Sequence, residues 1–322
     1  MASLSLRLKK IFILFCWTLV LFSALVCPVR AAFDIVVLQS SLLTPYENAR
    51  LAFLRAIARI GSLEGRKGTM FAEISEFVLS EEKDVNRLRD KLAVRNPDLF
   101  LAIGTRGLAE AQKYGAVPIV FLMVPNAEAL IADHLNIAGV SMSVSPEQQL
   151  KGLVSVMPQV KRVGMLYDPA NSAELAARAV KVAQAMDLSL IIRPTSSAKQ
   201  VHQQLHDISK SIDIFWMVPD PTVVTAQTVE SMFLLSLEHG IPILTFSDKY
   251  LRKGAMVSVS YDIQAMGAKA GEMAEQILTK VSRAADLSVR SADDYQVRVN
   301  HNVAARLGVT IKTNAAETQV GE

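Results

Sequence analysis

RVGMLYDPANSAELAARAVKVAQAMDLSLIIR, residues 162–193, holds the fold in miniature. A β-rich apolar run (Arg162–Tyr167) meets a turn at Asp168-Pro169. A helical pattern then covers Ser172–Met186, and a second β-rich run (Leu188–Arg193) follows. Apolar strands separated by helices of ten to sixteen residues are the signature of a parallel sheet covered on both faces. The same alternation extends in both directions. Downstream come helix Ala198–Ser209, strand Asp213–Val218, helix Thr222–His239, and strands Ile241–Phe246 and Ala255–Ser260. Helix Ile263–Val281, strand Tyr295–Val299 and helix His301–Leu307 complete that series. Upstream, FDIVVLQ (33–39) leads into a helix over Pro45–Ile60, with Thr44 as its cap and Glu47 closing a capping box. Strand Phe71–Val78, helix Glu81–Arg95, strand Asp98–Gly104, helix Thr105–Tyr114 and strands Val117–Val124 and Ile137–Ser143 follow. Ser145-Pro146-Glu147-Gln148 is a second capped helix start. The expected fold class is α/β, with two doubly wound parallel-sheet lobes in succession.

The opening residues read as an address. Arg7, Lys9 and Lys10 precede sixteen apolar residues, Ile11 to Val26, and Val29-Arg30-Ala31 supplies small residues for a cut after Ala31. A membrane-spanning helix needs about 20 residues, so residues 1–31 are expected to be a cleaved signal peptide. Their removal takes four basic residues and no acid. The net charge of +3 becomes −1, with 30 Lys+Arg against 31 Asp+Glu. Cys16 and Cys27 both leave with that segment. A mature chain without cysteine has no disulfide, thiol nucleophile or thiolate ligand, so its stability rests on burial. So slight a charge argues against a nucleic-acid partner.

In open parallel sheets ligands sit beyond the carboxyl ends of the strands. Those turns are Ser40–Thr44, Gly104-Thr105-Arg106, Tyr167–Ser172, Pro219–Thr222, Phe246-Ser247-Asp248 and Ser260-Tyr261-Asp262. Tyr167 and Tyr261 fall in such turns and Tyr46 lies in the first turn of a helix, so aromatic walls and orienting polar groups gather as in a small-molecule cleft. Asp168, Asp220 and Asp262 each have a second reading as turn or cap residues. Amides at the start of the helix after Gly104 suit an anion. Signals for chemistry are sparse: no GxSxG, GxGxxG or phosphate-loop motif occurs, and Gly61, Gly65 and Gly68 are misplaced for one. His202 and His206 share a helix face without a third ligand, so no metal is expected, nor any cofactor or enzymatic activity.

With NIAGVSMSVSPEQQLKGLVSVMPQVKRVGMLYDPANS (136–172), FWMVPDPTVV (215–224), IPILTF (241–246), GAMVSVSYDIQAMGAKAGEMAEQIL (254–278) and VNHNVAARLGV (299–309), the chain from about Asn136 onward resembles the ABC-transporter substrate-binding proteins of the tryptophan/tyrosine type. These have the type I periplasmic binding protein fold. RLAF (50–53), PDLFLAIGT (97–105) and VPIVFLMV (117–124) extend it to the first lobe. The resemblance implies two lobes joined by a hinge of three crossings. One lobe holds 32–141 plus 263–283 and the other 142–262 plus 284–312, with 313–322 a flexible tail. The ligand, an amino acid or similar small polar molecule, lies between the lobes. Ser40, Tyr46, Gly104 and Thr105 would serve the first lobe, Thr105 suiting a carboxylate. Tyr167, Asn171, Ser172, Asp220, Ser247 and Tyr261 would serve the second lobe and hinge, Asp220 suiting an ammonium. The implied role is that of a periplasmic monomer that closes over its ligand. It then either delivers the ligand to an inner-membrane ABC permease or presents it to a sensor receptor.

Overall fold

The computed structural model describes residues 33–62, 72–94, 96–131, 135–287, 289–291, 295–312 and 317–319. The expected signal peptide with Cys16 and Cys27 lies outside them, as do Gly65, Gly68 and most of the expected tail.

The first sheet starts with β1 (Phe33–Gln39), α1 (Thr44–Ser62), β2 (Ala72–Val78), α2 (Glu82–Val94), β3 (Leu99–Ile103) and α3 (Thr105–Ala111). It continues through β4 (Ile119–Leu122), α4 (Ala127–Ile131) and β5 (Ile137–Ser141). The second is built from α5 (Pro146–Val156), β6 (Arg162–Tyr167), α6 (Pro169–Ala185), β7 (Ser189–Pro194), α7 (Ala198–Ser209), β8 (Ile214–Trp216) and α8 (Ala226–His239). β9 (Ile243–Thr245), a 3₁₀ helix (Asp248–Lys253) and β10 (Val257–Tyr261) follow. Then come α9 (Ile263–Leu278), α10 (Ala284–Leu287), β11 (Val289–Ser291), β12 (Tyr295–Val299), α11 (His301–Leu307) and β13 (Glu317–Gln319).

The strand order is β11-β5-β4-β3-β1-β2 in the first sheet and β13-β12-β10-β9-β8-β6-β7 in the second. Every pairing is parallel except β10 with β12. Alternation of period two buries both faces. On β1, Ile35 and Val37 enter the core under α1 and α9, while Val36 and Leu38 enter the core under α2 and α3. In the second sheet Trp216 and Phe215 likewise point to opposite cores. The Trp216 indole N–H donates to Gln149 Oε1 at 2.7 Å, which satisfies its one donor in a dry interior.

The chain passes from the first sheet to the second between Ser141 and Pro146, comes back between Tyr261 and Ile263, and leaves again between Ser291 and Tyr295. The return is made by α9, which lies along α1. Its glycines let the two backbones approach closely: a Cβ on Gly267 would stand 2.4 Å from Ala52 Cβ and 2.8 Å from the Ala49 carbonyl oxygen. One on Gly271 would stand 2.5 Å from Ala56 Cβ.

Three expectations are corrected. Residues 284–287 and 289–291, expected in the second lobe, pack on the first sheet: Ala284 and Leu287 are buried in its core and β11 pairs with β5. Part of the expected flexible tail, Glu317–Gln319, pairs with β12. Glu47 closes no capping box on Thr44. The Leu43 carbonyl takes the Tyr46 and Glu47 N–H groups, and the Glu47 carboxylate turns to Arg50 (2.8 Å) and Gln39 (2.6 Å), where the guanidinium supplies a full opposite charge that a backbone N–H does not. The box at Ser145 and Gln148 does form.

Among the described residues no helix is long and apolar enough to cross a membrane. Replacing Gly267 by valine would force α1 and α9 apart. It is expected to cost about 1–3 kcal/mol or more, read as a lower midpoint in urea unfolding; an unchanged midpoint would contradict this packing.

Candidate functional site

The carboxyl ends of the strands gather the predicted residues into three clusters. In the first sheet, the Ser40 hydroxyl donates to the Ile103 carbonyl at 2.9 Å and accepts the Gly107 N–H at 3.0 Å, clamping the end of β1 to the start of α3. Gly104 sits in that clamp with φ +81°, where a Cβ would meet Ser40 Oγ at 2.6 Å and the Tyr46 ring at 2.9 Å. Only glycine fits, both for its backbone and for the ring above it. Thr105 and Arg106 are exposed beside this cluster, and Leu42 and Leu43 form an exposed apolar rim. Beneath the rim Gln39, almost wholly buried, donates to the Ser41 carbonyl and to Glu47. Hydrogen bonds from Arg50 and Gln39 hold the Glu47 carboxyl below its ordinary pKa. The neighbouring turn after β4 keeps Met123 (φ 57°) and Asn126 (φ 48°) in left-handed backbone, strain stored at the strand ends.

The second cluster ties β6 to β8. Asp220 is 1% exposed, and both its oxygens are taken by backbone: Oδ2 accepts the Asp168 N–H at 2.7 Å, and Oδ1 accepts the Thr222 and Val223 N–H groups at 2.9 and 3.1 Å. It braces the turn after β6 against the turn after β8. The helix foreseen from Thr222 starts at Ala226, under a capping box from Thr225 to Thr228. Asp168 caps α6 through Ala170 N–H (2.9 Å) and accepts from the Thr222 hydroxyl (2.6 Å) and the Asn171 amide (3.1 Å). Those bonds, Thr222 foremost, hold its carboxyl below the usual range. Ser172 is buried at a break in α6, and Tyr167 is half-buried against the core.

The third cluster stands at the crossings. Tyr261 packs against the cores of both sheets. Burial, with Asp248 and Tyr46 nearby, pushes its phenol above the ordinary value. Asp248 accepts the hydroxyls of Ser258 (2.7 Å) and Ser260 (2.9 Å) and pairs with Arg298, which also donates to Gln296 at 2.7 Å. A cavity of about 430 Å³ opens here, lined by Ser247 and Tyr261 from the predicted set and by Pro45 and Asn48 of α1.

Ser40, Tyr46 and Gly104 thus form one wall with Thr105 at its edge, and Tyr46 and Tyr261 both pack on the first sheet's core. Asn171, Ser172 and Asp220 stand apart with Tyr167 on the second sheet. Gln39, Glu47, Asp248 and Arg298 escaped selection from sequence; Asp248 alone carried a signal, as a strand-end residue beside Ser247. The three turn carboxylates Asp168, Asp220 and Asp262 all accept backbone N–H groups. No three His, Cys, Asp or Glu among the described residues are grouped to hold a metal ion.

Because the Asp168 carboxyl is lowered in the folded protein, its stabilisation is present above the unfolded carboxylate pKa and is lost as pH falls through the folded value. Asp168→Asn is expected to flatten the acid limb of a stability–pH curve below about pH 4; an unaltered limb would contradict the bond set.

The chain as a whole is similar to known proteins. Residues 75–319 match the family described as ABC transporter substrate binding protein. The tyrosine-binding protein of Clostridioides difficile (strain R20291) is 22% identical over 272 residues, covering 81% of this chain and 76% of that one. The open, ligand-free structure of CD0873, a substrate-binding protein with adhesive properties from Clostridium difficile, superposes with a TM-score of 0.71 at 22% identity, over 90% of this chain and 99% of that one. A Streptococcus pneumoniae ABC domain in complex with L-Trp gives a TM-score of 0.54 at 21% identity, with the same coverage. With three-quarters of its length inside the family's bounds and its two sheets shared with these structures, the chain belongs to the ABC transporter substrate-binding protein family.

Proposed function

We propose that this chain is the exported, non-catalytic capture component of an ABC importer, which holds an amino acid or similar small polar ligand between its two sheets. One lobe comprises 33–141 with 263–291, the other 146–261 with 295–312, and the chain acts as a monomer in the periplasm. The observation that carries the reading is that Tyr46, from the first sheet's strand ends, and Tyr261, at the crossings, pack on the same core, Tyr261 lying on the second core as well. Rings from both sides of a cleft suit the apolar part of an amino acid, and the surrounding hydroxyls and amides suit its polar end. The names of two relatives, one tyrosine-binding and one holding L-Trp, support an amino acid with a large side chain. Closure rotates one lobe against the other about the three crossings, and ligand contacts made only in the closed form shift that equilibrium.

A thermal-shift panel of amino acids tests the reading. A ligand at 100 times its Kd adds about 2.7 kcal/mol of stability, and Tyr46→Ala is expected to abolish the shift without unfolding the protein. A flat response across all amino acids would overturn it. Export has its own test: the protein recovered from the periplasm is expected to begin at Ala32, and an intact Met1 there would contradict cleavage.

A further inference from the structure

We propose that removal of residues 1–31 creates an ion pair that the precursor lacks: the α-ammonium of Ala32, first residue of the cut chain, binds the buried carboxylate of Asp34. The inference rests on the cut after Ala31 put forward above.

Asp34 stands at the amino end of β1 and is 8% exposed. Its Oδ2 meets the Lys91 ammonium of α2 at 3.0 Å. Its Oδ1 is buried and has no hydrogen-bond partner among the described residues. A buried carboxylate oxygen without a donor is costly, more so than a neutral acceptor. The residue cannot easily turn away to find one. Its N–H donates to Asp98 Oδ2 at 2.8 Å, and its carbonyl accepts the Asp98 N–H at 2.8 Å. Nor do the neighbours supply a second cation. Glu73 stands in register beside Asp34 on β2 and adds another carboxylate, with no ion pair of its own among the described residues. The amino end of β1 therefore lacks one positively charged donor.

Cleavage makes that donor. Hydrolysis of the Ala31–Ala32 peptide bond consumes one water and leaves a carboxylate on Ala31 and an ammonium on Ala32. A neutral N–H becomes a full positive charge two residues before Asp34. Ala32 lies outside the described residues, and covalent geometry sets its reach. Cα atoms two positions apart are at most about 7 Å from each other, and residues i and i+2 of an extended chain share a face. A charge-assisted bond from the ammonium satisfies the empty oxygen, so processing adds stability that the precursor does not have.

A chain with Ala32 first, prepared by cutting an N-terminal fusion, tests this without relying on processing in the cell. Its α-amino pKa is read from the pH dependence of Ala32 acylation, followed by mass spectrometry. The ordinary value is about 7.7–8.0. A facing carboxylate favours the charged form, so a value of about 9 or above is expected, with acylation at neutral pH roughly tenfold slower. Asp34→Asn is expected to restore the ordinary value. A Gly-Ser extension before Ala32 carries the ammonium away while keeping every side chain, and is expected to lower the urea midpoint. In the Asp34→Asn background the same extension should change nothing. An ordinary pKa in the parent, a raised one that Asp34→Asn leaves in place, or equal midpoints with and without the extension would overturn the proposal. An intact Met1 on the periplasmic protein would remove the export reading and leave this ion pair standing, and an ordinary α-amine would do the reverse.

Discussion

The near-contact of α1 and α9 is the constraint from which the rest of the molecule follows. Ala49, Ala52 and Ala56 on one helix meet Gly267 and Gly271 on the other with no room for a single added methyl. Packing this close maximises dispersion contact along both backbones and seals Phe53 and Ile57 beneath Met266, Ala270 and Met273. It also dictates connectivity. A chain that has left the first sheet and built most of the second must come back to supply α9, then leave once more to complete the second sheet with β12. The three passages between sheets are the cost of covering that one face with a late helix. The start of α9 is also held beside the start of α1, which brings Tyr261 and Asp262 to one cavity with Pro45 and Asn48.

Around that framework the polar groups are mostly matched before any ligand arrives. Asp220, Asp168 and Asp262 would each be costly buried or half-buried charges if left alone, and each is met by backbone N–H groups or hydroxyls. The result is a set of strand-end turns stiffened by carboxylates. Asp220 is the clearest case, since it joins the turn after β6 to the turn after β8 across 52 residues of sequence. Preorganised turns hold the groups that remain free, such as the Ser247 hydroxyl and the Thr105 side chain, in one place and lower the entropy lost on binding.

Much of the fold was legible because local pattern and tertiary role agree. Arg162–Tyr167, Ala198–Ser209, Tyr295–Val299 and His301–Leu307 have the expected bounds, and the Ser145–Gln148 box forms as its residues require. Misreadings fall where a distant partner decides. Nothing in VRS (289–291) marks a strand; it is one because β5 offers an open edge. The Glu47 carboxylate is diverted by Arg50 and by Gln39 from the preceding strand. For Asp220, local sequence shows a turn before proline, and only the fold brings the Asp168 N–H to its second oxygen. Helix α6 begins at Pro169, three residues before its expected start, because Asp168 caps one extra turn that breaks at Ser172. The site was legible as a set of turns but not as partnerships, since hydrogen bonds between turns depend on strand order, which periodicity does not encode.

The lateness of α9 also bears on the order in which the molecule can assemble. Counting from the N-terminus, β1 through β5 and α1 are complete by Ser141. Their inner face, with Val37, Phe53, Leu101 and Val120, stays uncovered until Met266 to Ile277 have been made. Contacts spanning more than 200 positions are slow to form, and a half-built first sheet is an exposed apolar surface. The nascent chain therefore cannot bank a finished first domain and proceed to a second. It matures nearly all at once, when α9 becomes available to cover the first sheet.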